Sequence, residues 1–198
     1  MIEVHTFPTA NGVKIPIALE EMGLDYRLVA VDLRKGEHKT DAFKAMNPVA
    51  KVPVLVDSGL VLSESAAILV HLADKSGHLL PPDGPQRAKV FEQLFFHASA
   101  VSPAFLQAFQ SKEPEAKTKA MAEVDRVLRL LDDRLSGTAY VAGEAFTIAD
   151  IAHFGWIWGH KSIGADLDLY PSVKRWHDEL LERPSVKTGI AKAKALIQ

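Results

Sequence analysis

The chain has 198 residues, 47% of them hydrophobic, with a formal net charge of −2 and no cysteine. That length and composition suit one large globular domain or two small ones and exclude a disordered chain. The near-neutral charge gives no general attraction to nucleic acid or an anionic membrane, and the missing thiols exclude disulfide frameworks, thiolate zinc sites, a cysteine nucleophile and a protein-borne CxxC redox pair.

The opening MIEVHTF lacks the basic start of a secretory leader and has the pattern of a strand. No apolar run approaches the roughly 20 residues of a membrane helix, so the cytoplasm is the expected compartment. NGVKIPIALEEMG follows as a helix: Ile15, Ala18, Leu19 and Met22 have helical spacing, and Gly23 suits the C-cap. YRLVAV is a second strand and DAFKAM a short helical turn. VPVLVD and LVLS flank the turn signal DSG and form a hairpin. SESAAILVHLA returns to helical spacing, with a helix from about Ser65 to Ser76. The order β-α-β-α-β-β-α predicts a small sheet with helices on its faces.

GHLLPPDGPQ is the one clear linker. Everything beyond it is helical in character. Residues 86–110 and 114–136 are two long amphipathic segments that separate near Glu113-Pro114. Thr147 and Asp150, in FTIADIA, have the spacing of a capping box with Asp in place of Glu. Pro171 suits a first helical turn, and Arg183-Pro184 restarts a last helix. There is no internal repeat or low-complexity tract.

Two short stretches carry chemistry. A proline cannot donate to a strand ladder, so Pro53 belongs at a strand start, an edge or a bulge. Its peptide bond with Val52 is either cis, turning the Val52 backbone outward to pair with an extended peptide, or trans at the start of an edge strand. Ser63-Glu64-Ser65 lies at a helix mouth. Free N–H groups and a Ser hydroxyl there favour a carboxylate, and Glu64 favours an ammonium beside it, which together suit an amino-acid head group. The plain alternative is a Ser N-cap with an acidic first turn.

Taken together, KVP before the hairpin, SESAAI after it and FTIADIA in the helical part resemble the glutathione transferases, and the likeness covers the whole chain. It implies a thioredoxin-like α/β domain over 1–78, a linker over 79–86 and an all-helical domain over 87–198. It further implies that Val52, before a cis Pro53, pairs its backbone with the cysteinyl part of glutathione. Glu64 and Ser65 would take the γ-glutamyl head group, and His38 and Lys51 the glycyl carboxylate. For His38 an exposed loop histidine is the alternative. Asp150 and His153 share a helix face, but Asp150 has a capping task and a third ligand is missing, so no metal is expected.

The family activates the glutathione thiol with a Tyr, Ser or Cys near the end of the first strand. None lies between Phe7 and Ile15. The candidates there are Thr9 and Asn11, neutral donors at a helix mouth whose N–H groups lower a thiol pKa. Locally, Asn11 is equally a helix cap and Thr9 a turn residue.

The TANG stretch, with LDYRL, DLRKGEHK and YPSVKRWH, resembles the bacterial Nu-class transferases and their Ure2p-like relatives. That likeness implies a Thr and an Asn at the sulfur and two bound glutathiones or glutathione disulfide. It also implies disulfide reduction with little conjugation. Arg126, with Arg129 as second choice, would hold the second glutathione. The chain departs from the class in carrying His38 where Gln is common and in ending soon after its last helix, which bears on how closed the site is. The implied protein is a homodimeric glutathione-dependent thiol-disulfide oxidoreductase acting on a small disulfide. Two alternatives are a conjugating transferase or peroxidase, with Phe105, Phe109 and Trp158 lining an acceptor pocket, and a non-catalytic dimeric binding module. An intact Lys51, Val52-Pro53 and Glu64-Ser65 set argues against the last.

Overall fold

The computed structural model describes residues 1–197. The chain divides into two compact units: Met1–His78 together with the segment from Arg183 onward, and Leu79–Glu182.

In the first unit, β1 (Ile2–Thr6) buries Ile2, Val4 and Thr6 while Glu3 and His5 are half-buried, the period of two expected of a strand. It is central in a four-stranded sheet of order β2-β1-β3-β4. β2 (Tyr26–Ala30) runs parallel to it, pairing Ile2 with Tyr26 and Thr6 with Ala30. β3 (Val54–Asp57) runs antiparallel on the other side, with Val4 opposite Leu55, and β4 (Leu60–Ser63) closes the hairpin. The parallel β1–β2 pair needs a crossover, and α1 (Lys14–Met22) supplies it. Gly23 ends α1 at φ 65°, and its N–H reaches back to the Glu20 and Leu19 carbonyls. α2 (Asp41–Met46) is capped by Thr40, whose hydroxyl accepts from the Phe43 N–H, and α3 (Ser65–Ser76) follows the hairpin.

The last helix, α10 (Pro184–Ala195), belongs to this unit and packs against α1. The approach is close: a Cβ on Gly189 would stand 2.6 Å from the Ile17 backbone nitrogen. Arg183 and Ser185 bond to Glu21, and Lys192 donates to Glu20 at 2.6 Å, so polar contacts rim this apolar seam.

The second unit is helical. α4 (Gly84–Phe96) runs through a π-helical turn (His97–Val101) into α5 (Ser102–Gln110). Periodicity alone predicts one unbroken segment here. The wide turn falls just before Pro103, which has no N–H for a regular backbone bond. α6 (Pro114–Ser136) buries Ala120, Val124, Val127, Leu128, Leu131 and Leu135 at helical spacing. α7 (Ile148–Ile157), the short α8 (His160–Ile163) and α9 (Pro171–Glu182) complete the unit, with Trp176, Phe105 and Phe154 deep in its core. Among the described residues no helix is long and apolar enough to cross a membrane.

Candidate active site

A small cleft of about 40 Å³ opens in the first unit, lined by Asn11, Asn47, Lys51, Val52, Pro53, Glu64 and Ser65. Three connections converge on it: β1 to α1, α2 to β3, and β4 to α3. Six of its seven residues are ones the sequence singled out.

The Val52-Pro53 peptide is cis, as the resemblance implies. Val52 is buried in an apolar cluster with Phe7, Val31, Phe43 and Val54. That anchor fixes the chain where it enters β3. Asn47, which the sequence reading passed over, organises the same loop. Its Nδ2 donates to the Lys51 carbonyl at 2.8 Å, its Oδ1 accepts from the Val49 N–H at 3.1 Å, and its own carbonyl accepts from the Ala50 N–H. The Asn47-Pro48 pair is a turn-initiating dipeptide, the one signal that could have pointed to it. The Lys51 side chain is exposed at the rim.

Glu64 holds φ 71°, ψ 110°, a backbone region few residues with a Cβ adopt. It is the N-cap of α3, and no side chain caps this end. Ser63 is therefore not the cap, and Ser65 is the first helical residue, at the positive end of the dipole. Ala50, on the facing loop, has φ 55°. Such positions persist where surrounding structure over-determines them, and they concentrate at binding sites.

The β1–α1 loop is tied to its own backbone. Thr9 Oγ1 accepts from the Gly12 N–H at 3.1 Å, and the Thr9 carbonyl accepts from the Val13 N–H at 3.0 Å. Buried Thr6 donates its hydroxyl to the Gly12 carbonyl at 3.1 Å. Only glycine fits at position 12, because a Cβ would lie 1.9 Å from the Phe7 oxygen. Thr9 is thus a turn residue and is not among those lining the cleft. Asn11 does line it, and it does not cap α1: the N-cap is Val13, with helical backbone and no side-chain cap. Asn11 Oδ1 instead accepts from Lys14 Nζ at 2.7 Å. Lys14 is 0% exposed. Burial lowers its ammonium to about 7, and the negative charge of Glu64 opposes that shift.

Other expected residues lie elsewhere. His38 is in the turn Glu37–Lys39, its Nδ1 shielded from solvent and without a hydrogen-bond partner. Arg126 belongs to the second unit, where its Nε donates to Glu123 at 2.9 Å. Arg129 donates to Asp125 at 2.9 Å and its guanidinium lies 5.8 Å from the Tyr170 ring centre. Phe105 is a core residue of the second unit, whereas Phe109 is 64% exposed.

Asp150 is a buried capping residue. Its carboxylate accepts from the Val141 and Thr147 N–H groups at 2.9 Å each, from Trp176 Nε1 at 3.0 Å and from the Thr147 hydroxyl at 3.1 Å. Burial pushes the carboxyl up to about 6, against these donors, which pull it down.

A four-stranded sheet unit with a cis-proline cleft, together with a helical unit, is the architecture of the glutathione transferase type. The "Glutathione S-transferase, N-terminal domain" model matches residues 2–74, and the "Glutathione S-transferase, C-terminal domain" model matches residues 91–184. The chain belongs to the glutathione S-transferase family. It is 36% identical over 208 residues to the disulfide-bond oxidoreductase YfcG of Escherichia coli K12, a match spanning 98% of this chain and 96% of that one. Among solved structures it resembles a family member from Pseudomonas fluorescens pf-5 with two glutathione bound, at 34% identity and a TM-score of 0.88, covering 96% and 92% of the two chains. It also resembles a glutathione transferase from Pseudomonas putida with one glutathione disulfide bound per subunit, at 31% identity and a TM-score of 0.88, covering 96% and 90%.

Proposed function

We propose that this chain is a glutathione-dependent disulfide-bond reductase whose sulfur chemistry belongs to glutathione and not to the protein. The observation that carries the reading is the cleft itself. Asn11, cis Val52-Pro53 and the uncapped Glu64-Ser65 corner share one small space, in a chain with no cysteine. Glu64 and Ser65 take the γ-glutamyl head group, the Val52 backbone takes the cysteinyl part, and Lys51 with His38 takes the glycyl carboxylate. Asn11, with Thr9 holding its loop, faces the sulfur. Arg126 is assigned to a second glutathione on the resemblance alone.

The bound glutathione thiolate attacks one sulfur of a substrate disulfide in line, giving a mixed disulfide and one substrate thiolate. A second glutathione thiolate attacks the glutathionyl sulfur of that mixed disulfide. Glutathione disulfide forms, and the second substrate thiolate leaves. The two substrate thiolates take up the protons that the two glutathione thiols gave up, and no protein side chain is oxidised. The cytoplasm, where the glutathione pool is reducing, is the compartment this chemistry fits. A two-fold homodimer is the matching assembly; exposed Leu60 and Val61 on β4 and Phe95 on α4 offer it apolar surface. Sedimentation at micromolar protein would reveal a monomer if that assembly is wrong.

The test compares hydroxyethyl disulfide reduction with chlorodinitrobenzene conjugation, beside calorimetric glutathione binding. Reduction is expected to dominate; a chain that conjugates but does not reduce disulfides overturns the reading. In Asn11→Ala the sulfur loses one donor to an anion, about 1.5–3 kcal/mol, or roughly ten- to a hundredfold in kcat, with a much smaller change in glutathione affinity. Equal losses of binding and rate would remove Asn11 from the sulfur site.

A further inference from the structure

Lys14 is a buried cation with no part in the scheme above. It is the first residue of α1, where the positive end of the helix dipole disfavours an ammonium. An apolar side chain of similar length would fill the space without the cost of desolvating a charge. Its amine reaches one side chain of the cleft, Asn11, at 2.7 Å, and it lies within the field of another, Glu64.

An asparagine amide has an accepting end and a donating end, and an ammonium can only donate. The Asn11 oxygen is therefore the atom that must turn to Lys14, which leaves the NH2 end for the cleft. A thiolate needs a donor there; the carbonyl end would repel it. We propose that Lys14 is the positioning residue of the sulfur site: it holds the Asn11 oxygen and so aims the Asn11 NH2 at the bound glutathione sulfur. This rests on the reading of Asn11 given above. Lys14 touches no reacting atom, and its effect on rate passes through Asn11.

The test is a double-mutant cycle on disulfide reduction with Lys14→Met, Asn11→Ala and the pair. Lys14→Met should lower kcat about tenfold while glutathione affinity changes less than about threefold, because the tripeptide's two ends are held elsewhere. In the Asn11→Ala background the same change should cost nothing further. Lys14→Gln, which keeps a donor for the Asn11 oxygen, should recover most of the rate; it also serves if the methionine variant does not fold. Wild-type kcat in Lys14→Met beside a slow Asn11→Ala overturns this inference alone. Losses that multiply in the double variant, or no recovery in Lys14→Gln, overturn it too. Wild-type kcat in Asn11→Ala overturns the sulfur-site reading and this inference with it.

Discussion

The start of α7 in the helical unit and the starts of α1 and α3 in the sheet unit follow opposite rules. At α7 every feature closes the end. Thr147 caps the backbone, Asp150 completes the box, and four donors converge on its carboxylate. The charge at that N-terminus has the sign the dipole favours. At α1 and α3 no side chain caps the backbone. α1 begins on a buried lysine, the wrong sign, and α3 begins behind a glutamate at positive φ. A satisfied end holds the fold together, whereas an open end keeps N–H groups available for a ligand. Buried Asp150 serves the stability of the α7 start, whereas the strained Glu64 lines the cleft and the buried Lys14 bonds to cleft-lining Asn11.

The largest effect that could break this contrast is expected at Asp150. Asp150→Ala leaves two backbone N–H groups and the Trp176 indole without their acceptor, and should destabilise the protein by about 3–5 kcal/mol. Urea unfolding measures it. The folded fraction should keep its glutathione affinity, and a loss under about 1 kcal/mol would mean the box is not what holds that end.

Lys14 should show the opposite sign, and a pH signature. In the unfolded chain its amine keeps a proton up to its ordinary value of 10.5; in the folded chain it releases it near 7. Below 7 the buried charge weighs fully on the folded state. Between those values the unfolded chain binds more protons, so wild-type stability rises with pH. Lys14→Met removes that burden. Its gain in stability should be of order 1 kcal/mol or more at about pH 6 and should shrink toward about pH 10. A variant less stable than wild type at both would make Lys14 an ordinary structural residue.

The smallest effect sharpens the picture at α3. Glu64→Gly relieves the positive φ and should stabilise the fold by up to about 1 kcal/mol in thermal unfolding, while glutathione binding falls steeply. Lost stability together with retained binding would place the strain outside the ligand site.

Much of the fold was legible because its signals are local. Alternation in IEVHT, the helical spacing of Ile15, Ala18, Leu19 and Met22, Gly23 at an αL stop and Thr147 with Asp150 at a capping box each depend on a few neighbouring residues. The cis Val52-Pro53 bond and the Glu64-Ser65 corner were legible only through likeness to a family, since either stretch alone allowed a plainer structure. Three-dimensional packing decided what no window of sequence contains. At Gly189 the Ile17 backbone stands where a Cβ would be, because α10 packs against α1. At Gly12 the Phe7 oxygen occupies the place a Cβ would take. Asn47 holds the Lys51 carbonyl across a loop, and Lys14, a polar residue at a helix start, turns inward to the Asn11 oxygen. Period and capping are set by the chain's own neighbours. Which side of a helix becomes interior, and whether a cation there finds an acceptor, is set by elements that meet only on folding.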